Sequence, residues 1–191
     1  MTDILWWRQL NAGWKLAFGS VFFHHSNEPT AEEFSQLYQT PVLRFSGPAA
    51  PYPNMAFELS DLSGVAPLHN LELLVATHHQ ITGIEPLSSL KKMKQLFLFN
   101  NSIQSLRSIE SLSALERLYV QFNRIESLNP VEALLNLQEV YINDNHLSSL
   151  DGLTEKHAEK LTKFFCMPGN NLPQKELIRV ENKLGIRCRA V

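Results

Sequence analysis

Apolar residues recur through the middle of the chain at a fixed interval. Aligning Leu71 with Met93, Leu115 and Leu137 superimposes four successive segments offset by 22 residues, each reading L-x-x-L-x-L-x-x-N-x-I/L-x-x-L-x-x-L-x-x-L with small departures. The pairs Leu74/Ala76, Leu96/Leu98, Leu118/Val120 and Val140/Ile142 have the period of two that turns both side chains to one face of a strand. The tail of each unit, Ile84, Leu87 and Leu90 in the first, has a period of three. That period suits a 3₁₀-like return, because 3₁₀ geometry brings residues i and i+3 into line.

A unit of this size cannot close a core, so each must stack on its neighbours, with the strands side by side in a parallel sheet along a curved solenoid. About seven inward apolar side chains per unit, each worth roughly 1.5–3 kcal/mol on burial, drive the stacking. Leu59, Leu62, Val65 and Leu68 form the second half of an earlier, degenerate unit. Phe165-Cys166-Met167, leading to Asn170 and Leu172, reads as an irregular later one. Asn101, Asn123 and Asn145 fall in the turn after each strand, where a carboxamide can satisfy backbone amides and carbonyls from both ends. They are read as structural. His79 takes the same slot in the first complete unit and breaks the pattern.

This arrangement resembles the leucine-rich repeat family, in its short 22-residue class, over about residues 42 to 172. Within that class it is similar to the internalins and to the regulatory subunit of protein phosphatase-1. The resemblance implies an α/β fold, a solenoid with its parallel β-sheet on the concave face. It also implies a protein partner, such as an enzyme whose activity or assembly is controlled.

The flanks read as helical caps. Trp6, Trp7, Leu10, Trp14, Phe18, Val21 and Phe22 recur at spacings of three and four, predicting one helix over about residues 3 to 23. Thr30-Ala-Glu-Glu33 resembles a capping box opening a second helix through about Tyr38. Val42-Leu-Arg-Phe45 reads as a strand expected to pair with the first degenerate repeat, and Pro48, Pro51 and Pro53 mark a loop after it. Leu177, Val180 and Leu184 share a face of a C-terminal helix, with Pro173 near its start and Gly185 past its end. The expected division is 1–41 N-terminal cap, 42–172 repeats and 173–191 C-terminal cap.

Charge narrows the function classes. Among 191 residues, 17 Lys+Arg face 19 Asp+Glu, a net charge of −2 that gives no electrostatic drive towards nucleic acid or an anionic membrane. No apolar run approaches a bilayer span. The start Met1-Thr-Asp-Ile-Leu-Trp-Trp lacks an early basic region, so Leu16–Phe23 is assigned to the fold and not to a signal peptide. Two cysteines, Cys166 and Cys188, are too few for a disulfide framework and read as thiols in a reducing, cytoplasmic setting. Cys166 could face outward in its degenerate strand. No nucleotide, hydrolase or metalloprotease motif occurs. The adjacent pairs His24-His25 and His78-His79 are poor metal sites because neighbours on a strand point apart. No catalytic residue, metal or cofactor is expected.

Parity then sets the exposed face. With Leu96 and Leu98 inward, the middle outward column is Val75, Phe97, Tyr119 and Tyr141. Phe99, Gln121 and Asn143 run along one side, Arg117 and Glu139 along the other, and Phe122 and Asp144 stand where strand gives way to turn. A wide apolar patch with charges at its edge has the make-up of a protein interface. These eleven residues form the expected partner-binding surface of a non-enzymatic interaction module, a monomer or weak homodimer. Two other readings use the same features. In one the rings merely stiffen the sheet; in the other the face or the terminal strand self-associates; a hydrolase would need a deep pocket with converging polar groups.

Overall fold

The computed structural model describes the backbone of residues 2–191 and the side chains from Ile4 onward. Seven strands form one parallel sheet in chain order: β1 Val42–Ser46, β2 Leu73–Thr77, β3 Gln95–Phe97, β4 Arg117–Tyr119, β5 Glu139–Tyr141, β6 Lys163–Met167 and β7 Cys188–Ala190. Each pairs with the next in chain order, so every connection climbs the solenoid by one coil. The returns carry 3₁₀ turns at Ser63–Val65, Glu85–Ser89, Arg107–Ile109, Asn129–Val131 and Glu155–Glu159, as the period of three requires. The inward columns are fully buried and merge into one core running from Trp14 to Val180 and Ile186.

The asparagines hold the coils together. Asn123 Oδ1 accepts the amide of Ile103 at 2.9 Å while its Nδ2 donates to the carbonyls of Leu98 and Val120 at 3.0 and 3.1 Å. Asn101 and Asn145 repeat this set one coil away on either side. Asn170 does the same for the last coil, on Leu147, Ile142 and Cys166.

The N-terminal helix divides. Helix α1, Thr2–Gln9, ends before Asn11, whose extended backbone and side-chain acceptor on the Trp14 amide start α2, Ala12–Phe18. A π-helical turn, Gly19–Phe23, follows. The expected single helix is therefore two; the spacings of three and four at Trp7, Leu10 and Trp14 run across the break and do not reveal it. Trp14 packs on Gly64, where a Cβ would lie 2.1 Å from the indole Cδ2, and its Nε1 donates to Asp61 at 3.0 Å. Helix α3, Ala31–Gln39, opens with the capping box of Thr30 and Glu33. The Thr30 amide, the largest effect, with His25 and the Thr30 hydroxyl, holds the Glu33 carboxyl down to about 2.

Strand β1 pairs with β2 of the first complete unit, with Arg44 beside Val75, and does not pair with the degenerate repeat. It is itself that repeat's strand. Val42 and its partner Leu73 are 31 residues apart, against 22 between Leu73 and Gln95, an excess of nine. Most of the surplus forms the loop 47–54. Its base is fastened by Asn54, which accepts the Ser46 amide and donates to the Arg44 carbonyl, both at 2.7 Å.

Helix α4, Gln174–Leu184, ends at Gly185 with φ +71, a left-handed cap that favours glycine. The chain then returns as β7, absent from the sequence expectation, so the C-terminal segment is a helix and a strand. Cys166 and Cys188 are both free thiols and buried. Cys166 faces inward, contrary to the outward option, because β6 keeps Phe164 and Cys166 on the core side.

Candidate functional site

Parallel pairing sets the outward middle column directly. Arg44, Val75, Phe97, Tyr119, Tyr141, Phe165 and Arg189 are successive partners across the whole sheet. The rings stack along it. Centroids lie 4.7 Å apart for Phe97 and Tyr119, 4.3 Å for Tyr119 and Tyr141, and 4.4 Å for Tyr141 and Phe165. The Arg189 guanidinium lies 5.9 Å from the Phe165 centroid, closing the stack with a cation on a π-face. Phe165 and Arg189 escaped the sequence reading because β6 follows β5 by 24 residues, which breaks the 22-residue register. Placing Phe164 and Cys166 opposite Val140 and Ile142 would have recovered Phe165, but not Arg189, which belongs to the short β7.

The charged column runs beside the rings. Glu139 pairs with Lys163 at 3.1 Å and Arg117 at 3.8 Å, and accepts the Tyr119 hydroxyl at 2.5 Å. The Tyr119 hydrogen bond, with help from Lys163 and Arg117, holds the Glu139 carboxyl below its ordinary value. Burial, reinforced by that carboxylate, pushes the Tyr119 phenol up. Glu139 is thus neutralised within the face.

The turn column has unusual backbone. His78, Asn100, Phe122 and Asp144 all have positive φ, between 52 and 59°. Asn, Asp and His tolerate that region, and a phenylalanine pays strain for it. Phe122 is nonetheless 49% exposed. Asp144 accepts its neighbour Asn143 at 2.7 Å and lies against Gly169. Asn143 is only 2% exposed, so its carboxamide is no exposed contact residue. It sits beside the irregular turn at Pro168 and the C-terminal Val191, with which it lines a small hollow. The other ten expected residues lie on the open face or its rim, half-buried or exposed.

One groove stands out on this face. It measures about 640 Å³ and lies over β1 to β4, between the loop residues Ala50, Pro51 and Tyr52 and the side chains of Val75, Phe97, Phe99 and Phe122. Phe99 is set by an edge-on contact with the His78 ring at 5.4 Å. A second hollow of about 310 Å³, with Tyr141 and Asp144 in its wall, shares Gln121 and Phe122 with the first. Phe122 therefore stands between two neighbouring depressions. Among the described residues no cluster of three or more metal-binding side chains occurs.

The architecture matches known proteins at the level of the repeat. Residues 91–133 and 113–155 match, in two overlapping copies, the family described as Leucine Rich repeats. An internalin from Listeria monocytogenes superimposes with a TM-score of 0.61 at 23% identity, over 71% of this chain and 39% of that one. A leucine-rich-repeat protein of Leptospira interrogans does so with a TM-score of 0.61 at 24% identity, over 73% of this chain and 36% of its own. The chain thus spans under two-fifths of the length of either. No curated protein sequence matches it. Residues 91–155 thus match leucine-rich repeats, and the chain folds as a leucine-rich-repeat solenoid. No helix among the described residues is long and apolar enough to cross a membrane.

Proposed function

We propose that the chain is a non-enzymatic protein-binding module whose concave face, centred on Phe97, Tyr119 and Tyr141, seats a partner protein. In this reading residues 1–41 and 173–191 cap the repeats of 42–172. The observation that carries it is the stack of rings on the side of the sheet turned away from the core. The core is complete without them, whereas a central aromatic patch with a polar border is how interfaces are built. Phe99, Phe122 and Val75 extend the apolar contact, and Arg117, Gln121 and Asp144 border it. The depressions are open troughs without converging acid–base groups, which supports binding over hydrolysis.

The test compares capture of proteins from the native host by the wild type and by a Phe97→Ala/Tyr119→Ala/Tyr141→Ala variant of unchanged circular dichroism. Loss of specific partners in the variant is expected. Recovery of the same proteins by both would remove the face from the interface. Sedimentation at micromolar concentration addresses self-association, for which the open edge of β7 is the alternative surface; a monomer is expected.

A further inference from the structure

Electrostatics of the groove and its surplus loop identify what kind of segment it takes. The wall formed by residues 47–54 contains Pro48, Pro51 and Pro53, which restrict its backbone, and the Asn54 clamp fixes its base. Tyr52 is held at the tip, 81% exposed, with its carbonyl accepting from the Arg44 guanidinium. Such a wall costs little further ordering on binding, the condition for an affinity-bearing pocket.

Arg44 is the one charged side chain among the groove's lining residues that is cationic at neutral pH, and no carboxylate lines it. Arg44 also makes no ion pair among the described residues. The remaining central charges of the face, Arg117, Glu139 and Lys163, satisfy one another. An apolar trough that ends on a guanidinium without a carboxylate partner is complementary to an apolar side chain followed by a carboxylate, because guanidinium binds carboxylate through two parallel hydrogen bonds. The hollow at Tyr141 and Asp144 adjoins the trough across Gln121 and Phe122, in the direction in which the sheet continues. From β1 to β5 are four strand spacings of about 4.8 Å, or roughly six extended residues.

We infer that the loop 47–54, Arg44 and the rings of Phe97, Phe99 and Phe122 form a site for an extended internal segment of a partner protein, with an aromatic or aliphatic side chain in the trough and an Asp or Glu carboxylate on Arg44. This rests on the protein-binding reading above and adds to it the chemistry of the partner. The wall and Arg44 belong to the coil that departs from the 22-residue repeat.

The experiment selects displayed random heptapeptides on the full chain, then measures synthetic versions, acetylated and amidated at their ends, by fluorescence polarisation. Selected peptides are expected to pair an apolar residue with a neighbouring acid. Arg44→Gln is expected to weaken them at least tenfold at low salt, with the difference shrinking at high salt. Arg44→Glu should then recover affinity for the same peptide carrying Lys in place of its acid, which shows the variant to be folded. Binders without acid preference that are lost on Phe97→Ala/Tyr119→Ala/Tyr141→Ala would overturn the acidic-segment inference and leave the protein-binding face intact. Binders indifferent to both sets of substitutions would overturn both. Binding only by peptides with a free C-terminal carboxylate, a dimer in sedimentation that Arg44→Gln dissolves, or no binders at all would each overturn the inference.

Discussion

The imidazole Nδ1 of His79 accepts the backbone amide of Leu59 at 3.2 Å, the hydrogen bond that Asn101 Oδ1 provides to Ile81 in the next coil, also at 3.2 Å. The departure from the repeat pattern therefore preserves the acceptor and makes it titratable. Burial, the largest effect, pushes the His79 pKa down to about 4 from its ordinary 6.5, against the pull of Glu58 and with a small push from His78. Between those values the unfolded chain takes up a proton that the folded chain refuses. Stability from this group is full above about pH 6.5 and is lost as the pH falls towards 4, by about 2 kcal/mol. His79→Asn keeps an acceptor that does not titrate. Urea midpoints across this window should fall less steeply in His79→Asn than in the wild type, and parallel curves would exclude His79 as the source.

The asparagine ladder has a larger cost of removal. Asn123→Ala strips the partner from the Ile103 amide and one of the two carboxamide donors from the Leu98 carbonyl, in a site where Asn123 is 7% exposed. The expected loss is about 2–4 kcal/mol. Arg124→Ala, an exposed neighbour, should stay within about 0.5 kcal/mol. Equal urea midpoints for the two variants would contradict the hydrogen-bonding role.

Much of this was legible because a solenoid repeats one local solution. The intervals of two and three name the inward residues of each regular coil, and parity then names Phe97, Tyr119 and Tyr141 as neighbours on the other side. What escaped lies where the repeat fails. The nine surplus residues after β1 carry no period that says where they fold, so neither the wall at Tyr52 nor the place of Arg44 in the ring column could be read. Phe165 was hidden by the 24-residue step, and the buried Asn143 lies beside the irregular turn at Pro168, where the repeat also fails. Strand β7 is three residues long and has no alternation to reveal it.

All three tryptophans, Trp6, Trp7 and Trp14, lie in the first two helices, so fluorescence reports on the N-terminal segment while circular dichroism reports on the whole chain. Gly64→Ala sets a Cβ 2.1 Å from the Trp14 ring, a clash that only movement of the buried indole relieves. The expected cost is about 3 kcal/mol or more. The fluorescence transition should move to lower denaturant and precede the circular dichroism transition. Two transitions shifting together would mean that this segment and the repeats unfold as one unit.

Phe122 offers a test in which stability and binding move in opposite directions. It holds φ at +56° while half exposed, so burial offsets little of the strain, and the equivalent positions use Asn100 and Asp144, which tolerate that conformation. Phe122→Asn should raise stability by about 0.5–1 kcal/mol, read from the thermal midpoint. The ring divides the two hollows of the concave face, so the same variant should bind the selected peptides at least tenfold more weakly. That opposition is the mark of a residue kept for contact at a cost to the fold. A variant that is less stable and binds as well as the wild type would make Phe122 a packing residue.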